Sequence, residues 1–224
     1  QTISVDVVSA GPAEVALVNK PWFSERTETA ALDYVHQENT YNDFVIQPGL
    51  PFRLSRQGPA LAVGDINAND IADVFVGGAI SKSGVLYRQY ADGTFYPIGS
   101  QPWSQDAFSE DVDAAFFDAD ADGDQDLYVV SGGVEYPAGT HTYQDRLYLN
   151  DGTGIFKKSE QVLPEFYESG SRVLPADMDG DGDLDLLVTT RCVPGAYPAP
   201  ANSYLLKNQL KETGRLTYTD VTGE

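Results

Sequence analysis

Three acidic segments of one pattern recur along this chain: "VGDINANDIADVFVGG", "FFDADADGDQDLYVVSGG" and "PADMDGDGDLDLLVTT". With Asp65, Asp118 and Asp177 as equivalent points, the copies stand 53 (118 − 65) and 59 (177 − 118) residues apart. A tandem repeat of this length confines the chain to architectures in which each unit covers its apolar face with its neighbour. Every acidic segment lies between two short apolar runs, such as "ALAVG" and "VFVGG" or "AAFF" and "LYVV". Short runs rich in β-branched and aromatic residues predict buried strands. A second hairpin follows each pair, in "GVLYRQYADGTFYPI", "RLYLNDGTGIFKKS" and "YLLKNQLKETGRLTYTDV". Asp92-Gly93 and Asp151-Gly152 supply the positive-φ chemistry of a tight turn, while the third hairpin is longer and turns at Gly214. The pattern predicts an all-β fold of four-stranded antiparallel propeller blades at about 58–99, 110–159 and 170–222. Propellers use about four to eight blades. An incomplete part of a larger propeller is therefore expected, with residues 1–57 as an N-terminal segment of linker and partial blade.

Oxygen ligands at every second position, followed by a glycine that permits a sharp turn, wrap one hard cation. In the second repeat the first, third, fifth and ninth positions are Asp118, Asp120, Asp122 and Asp126, with Gly123 sixth. In the third they are Asp177, Asp179, Asp181 and Asp185, with Gly182 sixth. The first repeat uses Asp65, Asn67, Asn69 and Asp73, which keeps the oxygens, drops two charges and puts Asp70 in the glycine's place. It is expected to bind most weakly. The seventh residues, Ile71, Asp124 and Asp183, differ in chemistry because that position offers its backbone carbonyl.

An EF-hand would need a bidentate Glu at the twelfth loop position. Counting forward reaches Val76, Val129 and Val188, each inside a strand-like run, which excludes that helix-loop-helix. Calcium suits a flexible cage of six to eight oxygens better than magnesium does, and zinc or copper would want His or Cys. Without a cation, carboxylates about 5 Å apart repel by roughly 3 kcal/mol per pair at an effective dielectric of 20. Three structural Ca²⁺ ions are expected, and they would move the formal charge from −20 to −14.

That charge reflects 34 acidic residues against 14 basic ones, a balance that repels nucleic acid and anionic membranes. Disordered acidic tails are poor in aromatics, whereas this chain has 13 Tyr, 10 Phe and 2 Trp and is expected to fold. No apolar run of about 18 residues is present for a membrane span. The single cysteine, Cys192, reads as a buried thiol.

These segments resemble the FG-GAP repeats of integrin α-subunit propellers and the related bacterial repeats often labelled VCBS, over about 58–222. "DADADGDQD" and "DMDGDGDLD" carry the likeness position by position, and "RLYLNDGTGIF" carries the following hairpin. More narrowly, "DYVHQENTYNDF", "SRQGPALAVGDIN" and "RLYLNDGTG" are similar to secreted bacterial proteins related to cartilage acidic protein, which combine such repeats with an ASPIC/UnbV domain. In that group the opening "QTISV" looks like the last strand of the preceding domain, so both ends read as interior cuts of a larger polypeptide. The resemblance implies an extracellular, cell-surface or periplasmic location and an adhesion or glycan-binding role. Its partners would be a glycan or protein ligand and the remaining blades and domains of the same polypeptide.

In a four-stranded blade the first loop and the last turn share one face, so the acidic loops lie with the Asp-Gly turns. The long connections crowd the other face and carry Trp103, Phe108, Tyr136, Phe166, Tyr167 and Tyr197. Exposed aromatics on a rigid scaffold predict a surface for sugars or protein partners. Catalysis is not expected: His36 and His141 lie near no nucleophile motif, and His36 with Glu38, Asn39 and Asp43 reads as a structural group. Two carboxylates outside the loops, such as Glu110 and Asp113, offer a candidate glycosidase pair, so a polysaccharide-active hydrolase or lyase is the rival to a binding module. A ligand-free spacer is the third possibility.

Overall fold

A computed structural model describes residues 24–223. The opening "QTISV" and the rest of residues 1–23 lie outside the described residues. Among the described residues, twelve strands form three separate four-stranded antiparallel meanders. The first holds β1 (Leu61–Gly64), β2 (Asp73–Val76), β3 (Val85–Gln89) and β4 (Phe95–Ile98). The second holds β5 (Glu110–Phe117), β6 (Asp126–Gly132), β7 (Arg146–Asn150) and β8 (Phe156–Lys158). The third holds β9 (Ser169–Ala176), β10 (Asp185–Cys192), β11 (Tyr204–Asn208) and β12 (Tyr218–Asp220). The first strand of the middle sheet, β5, touches both β1 and β9, so the sheets stand side by side as propeller blades do. The fold is all-β, an incomplete propeller with no closed ring among the described residues.

Period-2 alternation explains why the middle blade is apolar on both faces. Leu127 and Val129 of β6 join Phe75, Leu86 and Ala62 in the core shared with the first blade. Tyr128 and Val130 point the other way, into the core shared with Leu186, Val188 and Leu206 of the third. β6 therefore reads as a nearly continuous apolar run and is buried along its whole length. The outer blades each keep one uncovered apolar face: Leu61 and Val63 on β1, and Leu174 on β9, are about 60% exposed.

Residues 24–57 contribute two one-turn helices, α1 (Thr27–Ala30) and α2 (Asp43–Ile46), and no strand among the described residues. This segment is nonetheless tied to the blades. Within the segment, Asp43 accepts the backbone N–H groups of Leu54 and Ser55 at 2.7 and 2.9 Å and the Ser55 hydroxyl at 2.6 Å. Leu50 and Leu54 pack with Val134 and the buried Cys192, and the Tyr34 hydroxyl donates to the Gly77 carbonyl at 2.9 Å. His36 Nε2 lies 2.9 Å from Glu38 Oε1.

Candidate metal centre

Each acidic loop begins one residue after the first strand of its blade and ends on the first residue of the second strand. One set of hydrogen bonds recurs in all three. The first-position carboxylate accepts the N–H of the sixth residue: Asp70 to Asp65 at 2.7 Å, Gly123 to Asp118 at 3.0 Å and Gly182 to Asp177 at 3.2 Å. The fifth side chain accepts the seventh N–H, from Ile71 to Asn69, Asp124 to Asp122 and Asp183 to Asp181, at 2.9, 2.9 and 3.0 Å. The ninth carboxylate reaches back to the second N–H, from Ile66 to Asp73, Ala119 to Asp126 and Met178 to Asp185, at 3.3, 2.9 and 3.0 Å. Its other oxygen accepts from the third strand, from Gln89, Asn150 and Asn208, at 2.7, 2.8 and 2.9 Å.

The backbone of the sixth position is left-handed throughout, with φ of 63° at Asp70, 98° at Gly123 and 94° at Gly182. Asp70 thus holds the conformation expected of a glycine, as a short polar side chain permits. The first loop folds like the other two despite its sequence departure.

Ligand oxygens of Asp118, Asp120 and Asp122 lie within 4.8 Å of one another, as do those of Asp177, Asp179 and Asp185. A third such group, Asp179, Asp181 and Glu212, brings in a residue outside the loop pattern. The first loop, whose third and fifth positions are Asn67 and Asn69, makes no group of three carboxylates among the described residues. Several oxygens here are buried without a hydrogen-bond partner among the described residues: Asp120 Oδ1, Asp181 Oδ2 and Asp183 Oδ1. Orphaned buried carboxylate oxygens are costly, and a hard cation satisfies them. The donor set fits a divalent ion.

The electrostatics agree. Burial, with Asp120 and Asp122 adding to it, pushes the Asp126 carboxyl up to about 7. Burial and the neighbouring Asp122 also raise Asp120. In the first loop, burial is outweighed by the amides of Asn69, Asp70 and Asn67, which bring Asp65 below its ordinary value.

A family model described as FG-GAP-like repeat matches residues 65–129 and 131–188. The chain belongs to the FG-GAP-like repeat family. No curated protein matches the chain. The two matched FG-GAP-like spans take in all three acidic loops and end in β10.

Around these FG-GAP-like loops lie one of the expected Asp-Gly turns and side chains that spacing did not single out. The Asp151–Gly152 turn sits against the second loop, where a Cβ on Gly152 (φ 76°) would come within 2.6 Å of Asp124 Oδ2. Side chains at the end of the third strand bridge blades in the second and third blades: Asn150 Nδ2 donates to the Ile66 carbonyl at 2.8 Å, and Asn208 Nδ2 to the Ala119 carbonyl at 3.0 Å. Their shared register, in "RLYLND" and "YLLKNQ", is the signal that could have found them.

The aromatic surface divides. Trp103 is 3% exposed, donates from Nε1 to the Gly84 carbonyl at 3.0 Å, and packs on Phe75, Tyr148 and Phe156. Phe166 is buried and stacks on Tyr204. Both belong to blade interfaces, which corrects their expected exposure. Phe108 (39% exposed) and Tyr167 border one cleft of about 290 Å³, whose walls include His141 and Arg146. Tyr197 is exposed elsewhere, with its N–H on Gln47 Oε1, and the Tyr136 backbone is clamped by the Tyr143 hydroxyl. The six are not one surface.

Glu110 and Asp113 do not form an open carboxylate pair. Glu110 is 1% exposed, and Asp113 accepts from Arg172 Nη1 at 2.9 Å and the Val173 N–H at 3.0 Å. Burial raises the Glu110 carboxyl to about 8, with Glu38, Glu135 and Asp111 adding to the shift against the Gln57 amide.

Proposed function

We propose that this chain is a calcium-stabilised propeller module of a larger secreted or cell-surface protein, and that it captures a glycan or protein ligand on the face away from its acidic loops. The observation that carries the proposal is the second loop, where Asp118, Asp120 and Asp122 converge around a buried, unpartnered Asp120 oxygen. Side chains at the first, third, fifth and ninth positions would hold the ion, with the carbonyls of Ile71, Asp124 and Asp183 beside them. The ion would supply positive charge that offsets the crowded carboxylates. Calcium is favoured because every donor is oxygen, and millimolar calcium outside cells fills even sites of about 10⁻⁴ to 10⁻³ M affinity.

The uncovered apolar faces around Leu61, Val63 and Leu174 support further blades of the same polypeptide as permanent neighbours. Membership of the narrower group related to cartilage acidic protein belongs to the same proposal. No helix among the described residues is long and apolar enough to cross a membrane. A binding role is preferred over polysaccharide cleavage because Glu110 is enclosed and Asp113 is paired with Arg172. The cleft beside Phe108 and Tyr167 is the proposed place of capture.

A glycan array run in calcium and in EGTA, beside a reducing-sugar assay on the bound glycans, tests this. Calcium-dependent capture without turnover is expected, weakened by Phe108→Ala and Tyr167→Ala. Release of reducing ends would contradict it.

A further inference from the structure

The third loop differs from the second in holding a cation of its own. Lys207, on β11, sends its ammonium to Asp179 and to Glu212, and stands 3.8 Å from Asp181 Oδ2. Those three carboxylates are the group that includes Glu212, which overlaps the Asp177, Asp179 and Asp185 group at Asp179. Two anchors fix the arrangement. The neighbouring Asn208 N–H bonds Asp185 Oδ1 at 2.9 Å, which sets the register of β11 over the loop. The Lys211 N–H bonds Asp183 Oδ2 at 3.0 Å, which pins helix α3 (Leu210–Thr213), and with it Glu212, against the loop. Asp183 is 4% exposed and its other oxygen has no partner among the described residues.

The other blades lack this device. The residue in register with Lys207 is Leu149 in the second blade, and in the first it is Arg88, whose Nη2 reaches away to the Thr153 carbonyl at 2.6 Å. Among the described residues no ion pair reaches the carboxylates of the second loop.

We propose that Asp179 and Asp181 of the third loop, together with Glu212 from outside the repeat motif, form a second cation position filled by the Lys207 ammonium, and that this tethered charge holds the third loop closed when calcium is scarce and competes with calcium when it is abundant. The proposal rests on the calcium assignment for its second half only. Its consequence is a division of labour: the second loop, with five aspartates at alternating positions and no cation of its own, is the one whose order requires calcium.

The test uses the full chain, with Lys207→Met, Lys207→Arg and Asp122→Asn. In EGTA, Lys207→Met should melt about 2–4 °C or more below wild type, while Lys207→Arg, which keeps the charge, should match it. In a calcium titration, Lys207→Met should bind about tenfold tighter at one site, since a like charge a few ångströms from a dication has been removed. A second readout needs no variant. Acetylation of Lys207, followed by mass spectrometry, should increase when calcium is added to wild type. Equal melting of Lys207→Met and wild type in EGTA would overturn the internal-cation role. Unchanged affinity in Lys207→Met, or unchanged labelling on calcium addition, would overturn the competition. If wild type binds no calcium at all, the calcium assignment and the competition fall together, and the EGTA melts still decide the first half.

Discussion

Asp126 and Asn150 form the joint through which an acidic loop reaches the blade beside it. Asp126 Oδ1 accepts the Asn150 backbone N–H at 2.8 Å, and the Asn150 side chain donates to the Ile66 carbonyl in the preceding loop, also at 2.8 Å. The third blade repeats the relation, with Asp185 holding the Asn208 N–H at 2.9 Å and Asn208 Nδ2 on the Ala119 carbonyl at 3.0 Å. The second and third loops thus each position the side chain that grips the loop before, and the order of neighbouring loops is coupled.

Asn150→Ala and Asn208→Ala should each lower stability by about 1–3 kcal/mol, because each leaves buried carbonyls unpaired. Urea denaturation in millimolar calcium measures this. The two losses should be similar, as the two side chains occupy equivalent places. A loss confined to one of them would contradict the shared joint.

Trp103→Ala should cost about 3–5 kcal/mol through the cavity left among Phe75, Tyr148 and Phe156. Phe108→Ala and Tyr167→Ala should change stability by only about 0.5–1 kcal/mol, since both stand at the rim of a cleft. Denaturation midpoints separate the two classes. A mild Trp103→Ala would return that residue to the binding surface.

Glu110 should make stability fall as pH rises. Its folded carboxyl is raised to about 8 from an ordinary 4.5, so the native state keeps a proton that the unfolded chain has released. The stabilisation is fully present below about pH 4.5 and is lost progressively toward pH 8. Glu110→Gln, neutral at all pH, should gain on wild type between pH 5 and pH 8. Parallel pH profiles of the two proteins would show that Glu110 is ionised throughout.

Legibility followed the range of the interactions. The acidic loops were readable because their donors are neighbours in sequence, and a spacing of two residues already places Asp118, Asp120 and Asp122 together. The strands were readable because both faces of β6 are buried, which leaves an unbroken apolar run from Leu127 to Val130. Trp103 was not. It sits in a 3₁₀ turn, Pro102–Asp106, which looks like surface loop, and its burial depends on partners from two blades. Glu110 and Asp111 escaped a simple alternation because the register shifts between Asp111 and Asp113, so consecutive acidic residues are both enclosed. Lys207 and Glu212 look like solvated charges until the longer third hairpin folds α3 back onto its loop.

Thermal melting in millimolar calcium and in EGTA, on wild type and Asp122→Asn, tests the central claim most directly. For a site of about 10⁻⁴ to 10⁻³ M affinity, millimolar calcium adds about 0.4–1.4 kcal/mol, and each kcal/mol moves the midpoint by about 2–4 °C. EGTA should lower the wild-type midpoint by several degrees, added calcium should restore it, and Asp122→Asn should lose most of the response. Identical wild-type melts in calcium and EGTA would contradict that claim.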